Sequence, residues 1–239
     1  MKLALAAPTL YTLAIAGEDE HFPVNRVFCV GRNYAAHARE MGKDPDRDPP
    51  FFFMKPAHAV VQAGETEVSV PYPAKTKNFH HEIELVVAIG KGGSNIAVDE
   101  ALEHVFGYAV GLDMTRRDLQ LEARDKGRPW EFGKSFPKSA PIGPIHRAAT
   151  QQAVHNADIH LEVNGEVRQT SNISKLIWSV AESIAYLSQY DSLEPGDLIM
   201  TGTPEGVGAV VQGDLMRGSI DGLGEILVRV ANTTATSNR

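Results

Sequence analysis

Residues 78–89, NFHHEIELVVAI, pass from polar to continuously apolar within one strand length. Such a run reads as a β-strand that enters a core from its open end. Side chains alternate between the faces of a strand, so His80, Glu82 and Glu84 share one face and His81, Ile83 and Leu85 the other. At ~3.3 Å of rise per residue the two carboxylates stand about 6–7 Å apart and repel unless a cation or a proton lies between them. Downstream, a second apolar run, YAVGL, ends in Asp113. A Glu-x-Glu pair with a strand-terminal Asp is an all-oxygen ligand set, suited to Mg²⁺, Mn²⁺ or Ca²⁺ rather than zinc. Taken alone, an E-x-E pair also fits a solvated strand face. The apolar continuation VVAI and the coincidence with Asp113 weigh toward a site.

Strand signals dominate the remaining chain, as short Val/Ile/Leu-rich runs bounded by Gly, Pro, Asn and Asp: 26–31, 59–64, 82–90, 107–113, 159–169, 197–202 and 224–230. Asn164-Gly165 is a two-residue hairpin signal, and Pro195-Gly196-Asp197 a turn feeding the buried run LIMTG. Helices are expected over Tyr34–Met41, briefly over Asp99–His104, over Thr115–Lys126 with Thr115 and Asp118 as a capping pair, and over Ser174–Gln189 with one apolar face. Lys43–Pro50, KDPDRDPP, is the candidate mobile element. One β-rich mixed domain follows, with a hairpin extension over 1–25 and a core over 26–231.

At 239 residues the chain is long enough for a sizeable core, and its net charge of −7 with no basic run argues against nucleic acid and anionic membranes as partners. Its single cysteine, Cys29, excludes an internal disulfide and fits a reducing compartment. Pro8, Thr9, Tyr11 and Thr12 interrupt the apolar N-terminus, which therefore reads as a hairpin rather than a secretory signal. No window approaches the ~20 apolar residues of a membrane helix. A cytoplasmic protein is the expectation.

Several other residues carry chemistry. On a helix continued from Asp113, positions 113, 116, 117 and 120 share a face, placing Arg116, Arg117 and Gln120 beside the acid, a set suited to a substrate carboxylate or equally to a solvated face. His37 and Glu40 are spaced i, i+3, which lets the carboxylate orient an imidazole that acts as a base, although helix-surface pairs of this kind also occur without a role. Lys134 lies in PWEFGKSF, and held among Trp130, Phe132 and Phe136 it would face a developing enolate rather than solvent. The glycine-rich loop 201–210, TGTPEGVGAV, offers backbone amides and the hydroxyls of Thr201 and Thr203 to an anion, or is simply a tight turn. No nucleotide-binding, zinc-peptidase, CxxC or G-x-S-x-G pattern is present.

The motifs CVGRNYAAHAREMG, FFFMKPAHAVV, HHEIELVVAIG, GYAVGLDMTRRDLQ, GRPWEFGKSF, VNGEVRQ and LEPGDLIMTGTPEGVG, in this order from Val27 onward, resemble those of the fumarylacetoacetate hydrolase family. The resemblance implies an α+β, β-rich fold of the mixed β-roll or sandwich type with few helices, a homodimer, and one Mg²⁺ or Mn²⁺ per subunit. It casts Glu82, Glu84 and Asp113 as metal ligands, His37 with Glu40 as a water-activating dyad and Lys134 as the cation opposite the leaving carbanion. Arg32, Arg117, Gln120 and Thr203 resemble substrate contacts.

The larger members carry an N-terminal domain and a fourth carboxylate ligand before the catalytic histidine. Here that stretch is GRNYAAH, with Asn33 and no acid, so the chain resembles the compact three-carboxylate branch. Within it the approach to FFFMKP and the RPWEF segment are most similar to enzymes that hydrolyse fumarylpyruvate to fumarate and pyruvate in gentisate catabolism. Acylpyruvase or oxaloacetate decarboxylase/tautomerase chemistry is the alternative from the same branch. A non-catalytic, metal-stabilised dimeric binding protein is the alternative from another class.

Overall fold

The computed structural model describes residues 3–35 and 48–231. The helix expected over 34–41 falls almost wholly outside these residues, as do His37, Glu40 and positions 43–47 of the proline-rich segment.

The frame is an eight-stranded mixed sheet. Strands Phe51–Lys55, Val27–Gly31, Leu198–Met200, Ile83–Ile89, Val105–Leu112, Ala140–Ile142 and Val60–Gln62 lie side by side in that order, with His146–Arg147 pairing onto Val105–Leu112. Ile83–Ile89 is buried at every position, as a strand covered on both faces is, and Glu84 is the one ionisable residue in its otherwise apolar sequence. On one face Ile83, Leu85, Val87, Val110 and Leu112 pack against Ile159, Leu161, Met216, Ile226 and Val228 of a five-stranded sheet, giving a sandwich with one large core. On the other face Cys29, Val86, Ala88, Ala109 and Met200 pack with Leu13 and Phe22. Those two residues belong to the two-stranded N-terminal hairpin of Thr12–Ala14 and His21–Pro23.

Glu84 alternates with Ile83 and Leu85, so it belongs to this second face, at the end of the sheet away from the hairpin. Asp113 follows Leu112 by the same alternation, and Cys29, Phe53 and Lys55 lie on the same side of the neighbouring strands. The site is therefore the end of the second face that the hairpin leaves to two helices, Arg117–Asp125 and Glu131–Lys134, whose Arg117 and Lys134 cover the acids.

Asn164 and Gly165 have φ of 54° and 80°, the conformation a two-residue turn with positive φ at both centres demands between Asp158–Val163 and Glu166–Asn172. Three α-helices occur among the described residues: α1, Arg117–Asp125; α2, Glu131–Lys134; and α3, Val180–Leu187.

Two of the sequence expectations change here. Thr115 does not cap α1: Thr115–Arg116 is a short strand paired with Phe79–His80, and the Asp118 carboxylate accepts instead from Thr76 Oγ1 and the Lys77 amide. The other end of α1 closes as expected on Gly127 at φ 60°, whose N–H reaches the Arg124 carbonyl while that of Arg128 reaches Ala123, a Schellman motif. The helix expected from Ser174 begins only at Val180, because Ser179 and Glu182 form a capping box there. The residues before it form a single 3-10 turn, Ile173–Lys175, with Asn172 accepting from the Ser174 amide.

Candidate metal centre and active site

Glu82 and Asp113 face each other across adjacent antiparallel strands, joined by the Asp113 N–H to Glu82 carbonyl bond of 2.8 Å. Glu84, two residues on, points to the same side. One carboxylate oxygen from each of the three lies within 4.8 Å of the others, and all three residues are buried. The strand period thus explains the cluster: i and i+2 on one strand, and a cross-strand partner on the next.

Three cations meet these acids. Lys134, at the end of α2, is 2% exposed, and its Nζ donates to Glu82 Oε2 at 2.8 Å, Asp113 Oδ2 at 2.6 Å and Thr115 Oγ1 at 2.7 Å. Burial alone depresses an ammonium, but Asp113 and Glu82 outweigh it and the Lys134 pKa is raised, so the side chain stays charged. Arg117 donates to Glu82 Oε1 and to Gln120 Oε1. Lys55 has its Nζ 2.8 Å from Asp113 Oδ1 and donates to the carbonyls of Lys134 and Met114 and to Ser139 Oγ.

Glu84 differs from its neighbours. Its Oε2 accepts from the Gly202 amide at 2.8 Å, and among the described residues it forms no ion pair. Burial, then the charges of Asp113 and Glu82, push its carboxyl well above the usual carboxylate range. Asp113 Oδ1 accepts no aligned hydrogen bond, although Lys55 stands beside it. A buried carboxylate without an ion pair, with two more buried carboxylates converging on it, fits a hard divalent cation held by oxygen.

All eight described candidates, Arg32, Glu82, Glu84, Asp113, Arg117, Gln120, Lys134 and Thr203, line one cavity. Beyond Arg32 it opens into an outer chamber walled by Phe51, Phe53 and Trp130. His37 and Glu40 lie outside the described residues.

The geometry corrects several details. Asp113 ends a strand, so it shares no helix face with Arg116. That residue turns away, its guanidinium 4.3 Å from the Phe136 ring centroid and donating to the Phe132 carbonyl. Arg117 and Gln120 do share a face, one turn apart on α1. Phe132 is 83% exposed and takes no part in holding Lys134, whose ammonium sits 5.0 Å from the Phe53 ring instead. In the glycine-rich loop, the anion met by the Gly202 amide is Glu84 itself. Gly202 has φ of 96°, and a Cβ there would sit 2.7 Å from that of Asn33, which accounts for the glycine. Thr201 Oγ1 donates to the Leu85 carbonyl, so it braces the strand, whereas Thr203 faces the cavity.

The sequence reading missed Lys55, Gln169 and the aromatic wall. Lys55 was discoverable: in FFFMK, alternation from Phe53 puts it on the same face.

Residues 26–231 match the family model described as "Fumarylacetoacetate (FAA) hydrolase C-terminal". The chain belongs to the fumarylacetoacetate hydrolase family. Within this family it is 50% identical over 195 residues to a fumarylpyruvate hydrolase from Ralstonia sp, covering 80% of this chain and 98% of that one. It is 41% identical over 204 residues to the mitochondrial oxaloacetate tautomerase of Homo sapiens, covering 85% and 90% of the two chains. The crystal structure of fumarylpyruvate hydrolase from Pseudomonas aeruginosa in complex with Mn²⁺ and pyruvate superposes with a TM-score of 0.95 at 59% identity, over 97% of this chain and all of that one. The β-rich fold with few helices is thus the fold of the family.

Proposed function

We propose that this chain is a metal-dependent hydrolase that cleaves a C–C bond of a 2,4-dioxo acid, fumarylpyruvate above all, to fumarate and pyruvate. The single observation that carries the reading is the buried triad Glu82, Glu84 and Asp113 beside a charged Lys134, in a chain similar to fumarylpyruvate hydrolases along almost its whole length.

Glu82, Glu84 and Asp113 hold Mg²⁺ or Mn²⁺, which when bound supplies Lewis acidity at the 2-oxo acid end of the substrate. Arg117, oriented by Gln120, and Arg32 at the outer chamber present guanidinium groups to substrate carboxylates. His37, with Glu40 the dyad that the family resemblance implies, takes a proton from water, which attacks the distal carbonyl. The C–C bond then breaks with its electron pair passing to the pyruvate half, and the ammonium of Lys134 stands where that negative charge develops. Protonation of the enolate completes pyruvate. We read the chain as one catalytic domain that acts as a homodimer in the cytoplasm in aromatic catabolism, a reading that rests on its likeness to fumarylpyruvate hydrolases. Among the described residues no helix is long and apolar enough to cross a membrane.

The human relative favours a second reading, oxaloacetate tautomerisation or decarboxylation, which uses the same triad without an attacking water. The test is kcat/KM of the Mg²⁺- or Mn²⁺-loaded protein for fumarylpyruvate against oxaloacetate. A higher value for fumarylpyruvate, lost in His37→Ala with metal retained, is expected. Preference for oxaloacetate would transfer the assignment to the second reading, and full hydrolysis by His37→Ala would remove the dyad.

A further inference from the structure

Gln169 lies on Glu166–Asn172, a strand of the five-stranded sheet rather than of the sheet that carries the acids, yet its side chain is 1% exposed and makes four hydrogen bonds at the edge of the site. Its Oε1 accepts from the Ile83 amide at 3.1 Å and from His81 Nδ1 at 3.0 Å. Its Nε2 donates to Thr203 Oγ1 and to the Pro204 carbonyl, both at 2.8 Å. The orientation of this amide is unambiguous. One end meets a backbone N–H, which can only donate, and the other a backbone C=O, which can only accept. His81 must therefore carry its hydrogen on Nδ1. Thr203 Oγ1 must accept from Gln169.

The consequence falls on Thr203. A hydroxyl has one hydrogen to give, and accepting from Gln169 leaves that hydrogen uncommitted. Among the described residues no protein group accepts it, while Thr203 is 2% exposed and lines the cavity that holds Glu82, Glu84 and Asp113. A polar hydrogen so placed needs an acceptor, and the cavity supplies the room.

We propose that Gln169 is a positioning residue that fixes the Thr203 hydroxyl as a hydrogen-bond donor into the cavity, for a carboxylate or carbonyl oxygen of the substrate. The same amide ties the loop carrying Thr203 to the strand bearing Glu82 and Glu84, so the donor and the acidic triad keep one spacing. The inference deepens the function proposed above and rests on it for the identity of the ligand.

The test is pyruvate affinity of the Mn²⁺-loaded protein by calorimetry, which does not depend on which reaction the enzyme performs. Thr203→Val removes the donor and is expected to weaken pyruvate binding roughly three- to tenfold, the range of one net hydrogen bond. Gln169→Glu keeps both acceptor contacts but loses the bond to the Pro204 carbonyl and accepts from Thr203, turning its hydrogen out of the cavity, and is expected to weaken binding at least to the same extent.

A negative charge at this position also repels an anion, and the double variant separates the two effects. Acting through the hydroxyl, Gln169→Glu adds nothing in the Thr203→Val background. Acting as a charge or through general loosening, its penalty multiplies, and the proposal falls. Gln169→Met, uncharged and of similar length, serves the same cycle and is expected to lower the melting temperature as well. If Gln169→Met weakens binding equally with and without Thr203 Oγ, the role is structural and the proposal is overturned. Absence of turnover on fumarylpyruvate and oxaloacetate with pyruvate binding intact would remove the function reading and leave the positioning role standing.

Discussion

Lys55 Nζ stands 2.8 Å from Asp113 Oδ1 with both side chains wholly out of solvent, while Lys134 holds Oδ2 of the same carboxylate at 2.6 Å. Asp113 is thus clamped from both sides, and the lower clamp also grips the carbonyl of Lys134. Without Lys55, Asp113 keeps only Lys134, and the Met114 and Lys134 carbonyls and Ser139 Oγ lose a charged donor, at a cost of about 1.5–3 kcal/mol. Lys55→Met, close in length and apolar, is therefore expected to lower unfolding free energy by about that amount. Urea denaturation with chelator present measures it. A loss below about 1 kcal/mol, the worth of a surface pair, would show that Lys55 does not hold Asp113.

Glu84→Gln is expected to move stability in opposite directions with and without metal. The amide oxygen still accepts from the Gly202 N–H, and the amide needs neither the proton nor the unpaired buried charge that Glu84 must carry, so the metal-free variant should melt above the metal-free wild type. Adding Mn²⁺ at 100 times its Kd stabilises a binding protein by about 2.7 kcal/mol. The wild type should show this gain and the variant should not, with turnover lost as well. Equal Mn²⁺ stabilisation of both proteins would remove Glu84 from the ligand set.

The triad was legible because a strand has a period of two. Glu82 and Glu84 share a face by spacing alone, and a strand ending in Asp113 is the natural antiparallel neighbour. Lys55 follows the same rule, but a lysine after three phenylalanines reads as the solvated end of a strand until a buried carboxylate is known to lie opposite. Gln169 was invisible for a different reason. It sits in the register of another sheet, and its partners Ile83 and Thr203 are separated from it by 86 and 34 positions. The false helix face through Asp113 and Arg116 came from treating a strand end as a helix start. The pairing of Thr115–Arg116 with Phe79–His80 overrides the helical spacing there.

The contribution of Glu84 to the stability of the metal-free protein is expected to fall as pH rises. Glu84 has its carboxyl raised by burial and by Asp113 and Glu82, so above the unfolded glutamate value of about 4.3 the folded state binds more protons than the unfolded. A group raised in the folded state gives its full contribution below the unfolded pKa and loses it as pH climbs through the folded one. Metal binding displaces that proton, so the gain in melting temperature from Mn²⁺ should grow from about pH 5 to about pH 8. Melting curves with Mn²⁺ and with chelator across this range provide the comparison. A gain that shrinks with pH would contradict a raised carboxyl among the ligands.

Trp130 is expected to separate the two candidate substrates. Its ring meets Phe51 edge-on with centroids 5.2 Å apart and lies 5.7 Å from Phe53, while the Arg32 guanidinium stacks 5.3 Å from Phe51. These groups wall the outer chamber, with the acids and Lys134 behind them. An acyl arm extending from a pyruvate end held at the triad would reach this chamber, and a planar unsaturated arm with a terminal carboxylate matches aromatic walls and a guanidinium. Oxaloacetate has no such arm. Trp130→Ala is thus expected to cost about 1–3 kcal/mol in kcat/KM for fumarylpyruvate, some tenfold or more, with a smaller change for oxaloacetate. Steady-state kinetics on both substrates with one preparation decide it, and equal losses on the two would mean that Trp130 supports the site as a whole rather than the acyl arm.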